Sequence, residues 1–189
     1  HSALAVMRAL NVKVALSGAA ASSPLCCGRT ALSVGMIDDA KAHARKTLAA
    51  LAPAIARGVP VVGLEPSCIL SMRDEWLGMG LGDAAQRLAA HAMLFEEWWL
   101  QWTRSHTPPT VKADLPAVFV HGHCHQKAMG ALSPTLEAIQ SLGVTPQLIE
   151  TSCCGMAGSF GYDAAHLKVS LAMAQSHLLP AVRQAPAEA

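Results

Sequence analysis

The chain has 189 residues, of which 52% are hydrophobic, 14% charged and 4% aromatic, and its formal net charge is +1. This composition is typical of one or two compact domains and excludes an intrinsically disordered chain. The near-neutral charge, without a Lys/Arg cluster, argues against nucleic acid as a partner. Every apolar run is shorter than the roughly 18 residues of a membrane-spanning helix, so we expect no transmembrane segment.

The first half of the chain alternates between predicted strands and predicted helices. The chain begins inside a helical pattern at His1, and we therefore expect an N-terminal strand of the first domain to be missing. Within the helical patterns, Pro53 is expected to bend or split one helix and Asp83 to cap another. Apolar runs predict strands over residues 12–17 and 59–64, and helical periodicity predicts helices over residues 30–57 and 83–102.

The second half repeats this alternation after a linker. Residues 106–116 hold three prolines and predict a domain boundary. Strands are predicted over residues 117–120 and 145–151, a helical stretch runs to residue 142 with Pro134 near its middle, and a last helix covers residues 163–183. Strands separated by helices indicate an α/β fold with parallel strands and crossover helices.

The six cysteines are clustered in a way that disulfide pairing explains poorly. Two of the clusters are vicinal pairs, and adjacent cysteines bridge each other only through a strained ring. Metal-binding or redox thiols in a reducing compartment fit better, so we expect a cytoplasmic protein. Each cluster follows a predicted strand, and ligands of α/β sheets collect at the carboxyl ends of strands. We expect these thiols to converge there: Cys26, Cys27, Cys68, Cys124, Cys153 and Cys154.

Two segments surround the cysteines with residues suited to supporting a metal or an anion. The glycines of residues 152–161 allow backbone N–H groups to point inward, toward thiolates, sulfide or an anion. In residues 121–127, His121, His123 and His125 are expected to share one face of an extended chain, with Cys124 on the other face. For each histidine, direct ligation and hydrogen bonding beside the ligands remain alternatives.

Aromatic residues concentrate in the helix predicted over residues 83–102. Four of them follow helical spacing, which predicts a core or docking face rather than a cofactor contact. They are Phe95, Trp98, Trp99 and Trp102.

A weak internal repeat links the two halves, because each has a Cys-Cys-Gly segment, a Gly/Met loop and a long helix. Together with residues 65–68, 123–127 and 152–161, these motifs resemble the CCG cysteine-rich domain family. That family includes a subunit of heterodisulfide reductase, the iron–sulfur subunit of glycolate oxidase and the C-terminal regions of fused FAD-linked oxidases. The chain is most similar to the last group.

The resemblance implies two pseudo-symmetric repeats, which we expect over residues 1–110 and 111–189. It further implies that the six cysteines bind an iron–sulfur cluster of the 4Fe-4S type or a non-cubane cluster, with zinc as an alternative. His123 and His125 are either neighbours of that site or additional ligands.

The resemblance also implies an electron-transfer part of an FAD-linked oxidase for 2-hydroxy acids of the D-lactate or glycolate type. The implied partners are an FAD-binding domain or subunit and a ferredoxin-like domain, with peripheral association with the respiratory chain. In this interpretation the chain alone does not oxidise the organic substrate. Two alternatives stay open, a zinc module that docks other subunits and a thiol–disulfide redox domain.

Overall fold

The computed structural model describes residues 1–18, 24–109, 117–151 and 153–186. The chain divides into two compact units, His1–Trp98 and Trp99–Ala189. Both units combine helices with a short parallel strand pair, which confirms the α/β class. Within the described ranges, no helix has the length and apolarity needed to cross a membrane.

The first unit places two parallel strands among helices. Val61 lies opposite Ala92 and Gly63 opposite Leu94 in the strand register. The described elements in chain order are α1 (Ser2–Ala9), α2 (Arg29–Ser33), α3 (Ile37–Ile55), β1 (Val61–Gly63), α4 (Pro66–Arg73), α5 (Glu75–Gly78), α6 (Asp83–His91), β2 (Ala92–Leu94) and α7 (Phe95–Thr103), which extends into the second unit.

The core of the first unit lies where α3, α4 and α6 meet the strand pair. Trp76, Leu88 and Leu94 are almost completely buried there. Gly63 is the last residue of β1, and an added Cβ there would overlap the side chain of Ile69 on α4. The sheet and α4 therefore meet closely at the end of β1 that leads to Cys68.

Three predictions for the first unit are wrong. Within the described residues 1–18, residues 12–17 form no strand, since this run pairs with no other strand and leaves Leu16 exposed. The helix predicted over residues 30–57 is interrupted at Gly35, whose φ is +79°, whereas Pro53 lies inside α3 and does not split it. Asp83 begins α6 without capping it, because Gly82 occupies the N-cap position.

The helix predicted over residues 83–102 is also wrong, because β2 divides it. Ala92 and Leu94 are buried and pair with β1, so tertiary pairing overrides the local helical periodicity. The backbone N–H of Leu94 donates to Glu97 at 2.8 Å, which starts α7 immediately after the strand. Trp98 and Trp99 on α7 are buried, as expected for core positions.

The described part of the second unit also contains a parallel strand pair. Val118 lies opposite Pro146 and Val120 opposite Leu148, which confirms the two predicted strands over shorter ranges. The described elements are β3 (Val118–Val120), α8 (Cys124–Ala128), α9 (Ser133–Gln140), β4 (Pro146–Leu148), two 3₁₀ turns (Phe160–Tyr162 and Ala164–His166), α10 (Leu167–Ser176) and α11 (Leu178–Gln184).

The predicted helices of this unit are more broken than expected. Pro134 lies in the first turn of α9, where the missing N–H costs nothing, and so begins that helix. The helix predicted over residues 163–183 starts with 3₁₀ turns and breaks at His177. The linker predicted over residues 106–116 lies partly outside the described residues. The repeat boundaries at residues 110 and 111 stay a prediction.

The glycine of the first Cys-Cys-Gly segment permits a close approach of its loop to α3. Gly28 has φ +78°, and a Cβ on it would lie 2.7 Å from the carbonyl oxygen of Ala40. Gly35 has nearly the same φ, +79°, but nothing lies within 4 Å of its Cβ position. Substitutions at these two glycines therefore distinguish the cost of left-handed backbone, which both share, from the cost of close packing, which only Gly28 has.

We predict that Gly28→Ala lowers the free energy of unfolding much more than Gly35→Ala does. Left-handed backbone costs an L-residue about 1–2 kcal/mol at either position, and the packed site adds about 1–3 kcal/mol at Gly28. Urea unfolding of the two variants measures this difference. Equal losses would show that α3 does not pack against this loop.

Candidate thiol site

Three thiols of the first unit lie around one loop and one helix start. Cys26 and Cys27 precede α2, and Cys68 lies in the first turn of α4. The Sγ atoms of Cys27 and Cys68 lie 2.9 Å apart and share a hydrogen bond. Cys27 is buried, Cys68 half-buried and Cys26 exposed. The fold therefore brings together residues that are 41 positions apart in sequence.

The backbone of the vicinal pair is fixed by hydrogen bonds from two helices. The Thr47 hydroxyl on α3 donates to the carbonyl oxygen of Cys26 at 2.8 Å. The indole Nε1–H of Trp76 on α5 donates to the carbonyl oxygen of Cys27 at 3.1 Å. The N–H of Gly28 points at Cys26 Sγ, 3.3 Å away. The loop is thus held at both carbonyls and at one sulfur.

Helix α4 holds Cys68 in its first turn because a proline and a capping carboxylate fix where the helix begins. Pro66 occupies the first turn, where a proline is well tolerated. The Glu65 carboxylate accepts the Ser67 N–H at 3.2 Å and the Ser67 hydroxyl at 2.6 Å. The chain therefore leaves β1 and enters α4 at Pro66, which places Cys68 in the first turn.

The paired thiols differ in acidity. The hydrogen bond with Cys68 lowers the pKa of Cys27 to about 6, against the opposing effect of burial. The same hydrogen bond, burial and the negative charges of Cys27 and Glu65 raise the pKa of Cys68 far above its ordinary value. The pair therefore releases one proton easily and keeps the second.

In the second unit, the segment around Cys124 forms a capped helix start. The His123 ring accepts the His125 N–H at 3.1 Å through Nδ1, and the Gln126 side chain accepts the His123 N–H at 3.1 Å. Gln126 also donates to Thr135 at 2.9 Å. Cys124 is the first residue of α8 and is exposed. His123 therefore has a capping role that the sequence did not predict.

The three histidines do not share one face of an extended chain, because α8 begins at Cys124. The rings of His123 and His125 stack with their centroids 5.5 Å apart. His121 Nδ1 instead lies 2.9 Å from the Thr151 hydroxyl, and Lys127 Nζ donates to the Thr151 carbonyl at 2.9 Å. Burial, and then the positive charge of Lys127, lower the pKa of His121.

The second vicinal pair repeats the sulfur contact of the first. The N–H of Gly155 points at Cys153 Sγ, 3.3 Å away. Gly155 has φ +89°, and a Cβ on it would overlap the carbonyl oxygen of Ser170 on α10. Cys153 and Cys154 are half-buried. Both Cys-Cys-Gly segments therefore share a left-handed glycine packed on a helix backbone, with its N–H directed at the first sulfur.

The thiols suit a thiophilic metal group by their chemistry. Thiolates are the preferred ligands of iron–sulfur clusters and zinc, and N–H groups directed at sulfur are typical supports of such ligands. Among the residues that the structure describes, no group of three His, Cys, Asp or Glu side chains is arranged to hold a metal ion. The Sγ atoms of Cys27 and Cys68 are 2.9 Å apart, and metal binding to thiols displaces their protons.

Four of the six predicted site cysteines come after an observed strand. Cys68 comes after β1, Cys124 after β3, and Cys153 and Cys154 after β4, whereas the described residues before Cys26 form no strand. Thr47 and Trp76 were not among the predicted site residues. A weak signal for Trp76 exists, because a buried indole N–H needs a hydrogen-bond acceptor.

The chain is similar in sequence to parts of two curated dehydrogenases. The chain is 28% identical over 155 residues to a subunit of the anaerobic glycerol-3-phosphate dehydrogenase of Escherichia coli K12, covering 80% of this chain and 39% of that relative. It is 30% identical over 131 residues to the D-2-hydroxyglutarate dehydrogenase of Pantoea ananatis, covering 68% of this chain and 12% of that protein. The same enzyme of E. coli K12 is 28% identical over 131 residues.

The chain thus spans well under half the length of these curated relatives. No family model matches it. No solved structure matches it either.

We predict that Cys27 of the metal-free protein reacts with iodoacetamide along a pH profile with a midpoint near its pKa of about 6. The thiolate is the nucleophile, so the rate rises as the pH increases through this value. In Cys68→Ala the hydrogen bond is lost and the midpoint moves upward, toward the ordinary thiol value of about 8.5. Mass spectrometry of the Cys27 peptide gives the rates, and an unchanged midpoint in the variant would contradict the pairing.

Proposed function

We propose that this chain is the electron-transfer part of an FAD-linked dehydrogenase or oxidase that acts on a 2-hydroxy acid. The names of the curated relatives support this, since glycerol-3-phosphate dehydrogenase and D-2-hydroxyglutarate dehydrogenase are both named for the oxidation of a hydroxyl-bearing compound. We assign oxidation of the organic substrate, of the D-lactate or glycolate type, to an FAD-binding domain or subunit. A ferredoxin-like domain is the second partner in this proposal.

The observation that carries the proposal is the same N–H to sulfur contact in both units. Gly28 and Gly155 each direct a backbone N–H at the sulfur of the first cysteine of a vicinal pair, in both cases at 3.3 Å. Hydrogen bonds to sulfur are among the main determinants of the potential of an iron–sulfur cluster. A thiol that served only as a small apolar core residue would not need this contact.

The proposed ligands are the six cysteines, and a bound iron–sulfur cluster would accept and release single electrons. His123 is better suited to a supporting role than to ligation, since its Nδ1 already caps α8. His125 stacks on His123 and lies beside Cys124. The cluster type in this proposal is 4Fe-4S or non-cubane.

In the second unit, Lys127 and His121 both contact Thr151, which lies just before the Cys153 segment. We propose that these contacts help to position the cysteines of this segment. The lowered pKa of His121 keeps its ring neutral near Lys127. We propose that the protein is cytoplasmic and that its partner complex associates peripherally with the respiratory chain.

A thiol–disulfide role is the second candidate, favoured by the 2.9 Å separation of the Cys27 and Cys68 sulfurs. In that reaction the two thiols form one S–S bond and release two protons and two electrons to a flavin. A lowered thiol pKa, such as that of Cys27, is typical of thiols that take part in exchange.

We predict that the chain purified without oxygen contains iron and acid-labile sulfide and gives an electron paramagnetic resonance signal of an iron–sulfur cluster. Cys153→Ser should lose most of the iron because it removes a ligand. Cys68→Ser should also lose iron, because Cys68 is one of the proposed ligands. Metal analysis, sulfide analysis and spectra make the measurement.

Two outcomes would contradict this prediction. Zinc without sulfide would favour a docking module instead. A folded, reduced protein without any metal, in which mild oxidation links Cys27 to Cys68, would favour the thiol–disulfide candidate.

A further inference from the structure

The peptide units that flank Cys27 are held by two side chains from separate helices. Thr47 on α3 binds the carbonyl of Cys26, and Trp76 on α5 binds the carbonyl of Cys27. Both donors are buried, since Thr47 is 4% exposed and Trp76 is completely buried. Water does not readily replace these donors.

Because a peptide unit is planar, holding its carbonyl also orients its N–H. The carbonyl of Cys27 and the N–H of Gly28 belong to one peptide unit. Trp76 holds the carbonyl end of this unit, and the N–H end points at Cys26 Sγ, 3.3 Å away. The indole therefore acts on the sulfur through one rigid plane.

The same reasoning applies to the preceding peptide unit. Thr47 holds the carbonyl of Cys26, and this unit supplies the N–H of Cys27. With both units fixed, the Cα of Cys27 has a defined orientation, and its Sγ lies 2.9 Å from Cys68 Sγ. Arg29, the residue after Gly28, also pairs with Glu75 beside Trp76 at 3.4 Å, which ties the loop to α5 again.

A purely structural role would require only the volume of the indole ring and of the threonine side chain. The specific feature is that two polar groups from different helices bind consecutive carbonyls, those of the vicinal cysteines. We propose that Trp76 and Thr47 are positioning residues, which set the Gly28 N–H on Cys26 Sγ and hold Cys27 Sγ beside Cys68 Sγ. This inference rests on the proposed function for its purpose, but its test does not need a bound metal.

The first measurement is hydrogen exchange of the Gly28 amide in the metal-free chain. Trp76→Phe removes the indole N–H, so the Gly28 amide should exchange about three- to tenfold faster, as expected for losing one hydrogen bond. The Gly155 amide, which has the same contact with Cys153 in the other unit, is the internal control and should not change.

The second measurement is capture by phenylarsine oxide, which joins two thiols and releases one water. Protection of Cys27 and Cys68 from later alkylation, measured peptide by peptide, reports their mutual position. Thr47→Val, which keeps the side-chain shape, should slow this capture about three- to tenfold. Thr47→Ser keeps the hydroxyl and should restore the original rate.

Trp99→Phe is the matched control for Trp76→Phe. Trp99 is also buried and donates its indole N–H, to Ser141 at 2.8 Å, but it lies in the second unit. It should leave both the Gly28 exchange and the capture rate unchanged.

The proposal is overturned if folded Trp76→Phe and Thr47→Val both behave like the original chain. It is also overturned if both variants fail to fold, because the two hydrogen bonds would then support the fold as a whole. If the variants slow thiol capture but the original chain binds no iron, the proposed function is refuted and the positioning role of Trp76 and Thr47 is retained.

Discussion

The arrangement of this protein depends on a glycine that follows each vicinal cysteine pair. Gly28 and Gly155 both adopt left-handed backbone and pack against a helix carbonyl so closely that a methyl group would collide with it. In that position their N–H groups meet the first sulfur of each pair. A larger residue would separate the loop from its helix and withdraw the N–H from the sulfur. The sequence Cys-Cys-Gly thus combines a packing constraint with an electrostatic one.

The first unit shows how such a loop prepares thiols for chemistry. Thr47 and Trp76 hold the loop from two helices, and the capped start of α4 brings Cys68 to the buried Cys27. The hydrogen bond with Cys68 then lowers the pKa of Cys27 to about 6, so the pair loses its first proton easily. Thiolates are the form that binds metals, and a lowered pKa increases the thiolate fraction of Cys27 at neutral pH. The second unit relies on a capped helix start at Cys124 and on a Lys127–Thr151–His121 network instead.

The sequence predicted the strands that carry apolar runs and pair with a neighbour, such as the runs around Val62 and Phe119. It failed for the run around Val14, which is equally apolar but has no strand beside it in the described structure. The strand β2 was not predicted, because Ala92 and Leu94 fit the helical spacing of their own segment and only their pairing with β1 makes them a strand. The spacing of apolar residues within one segment does not show which other segment pairs with it.

The candidate site was predicted to the level of residue type but not of contact. The cysteines are conspicuous in sequence, whereas the pairing of Cys27 with Cys68 depends on how α4 folds back onto the loop. Thr47 and Trp76 resemble ordinary helix residues, and only their buried hydrogen bonds show what they bind. His123 was predicted as a neighbour or ligand, and its capping of α8 depends on where that helix begins.

X-ray absorption at the iron edge of the chain loaded without oxygen decides whether these cysteines hold an iron–sulfur cluster. We expect a first coordination shell made of sulfur alone, together with a short iron–iron distance, because cysteine thiolates and sulfide would hold the iron. A shell of nitrogen and oxygen, or iron without an iron neighbour, would contradict the claim that these cysteines carry an iron–sulfur cluster.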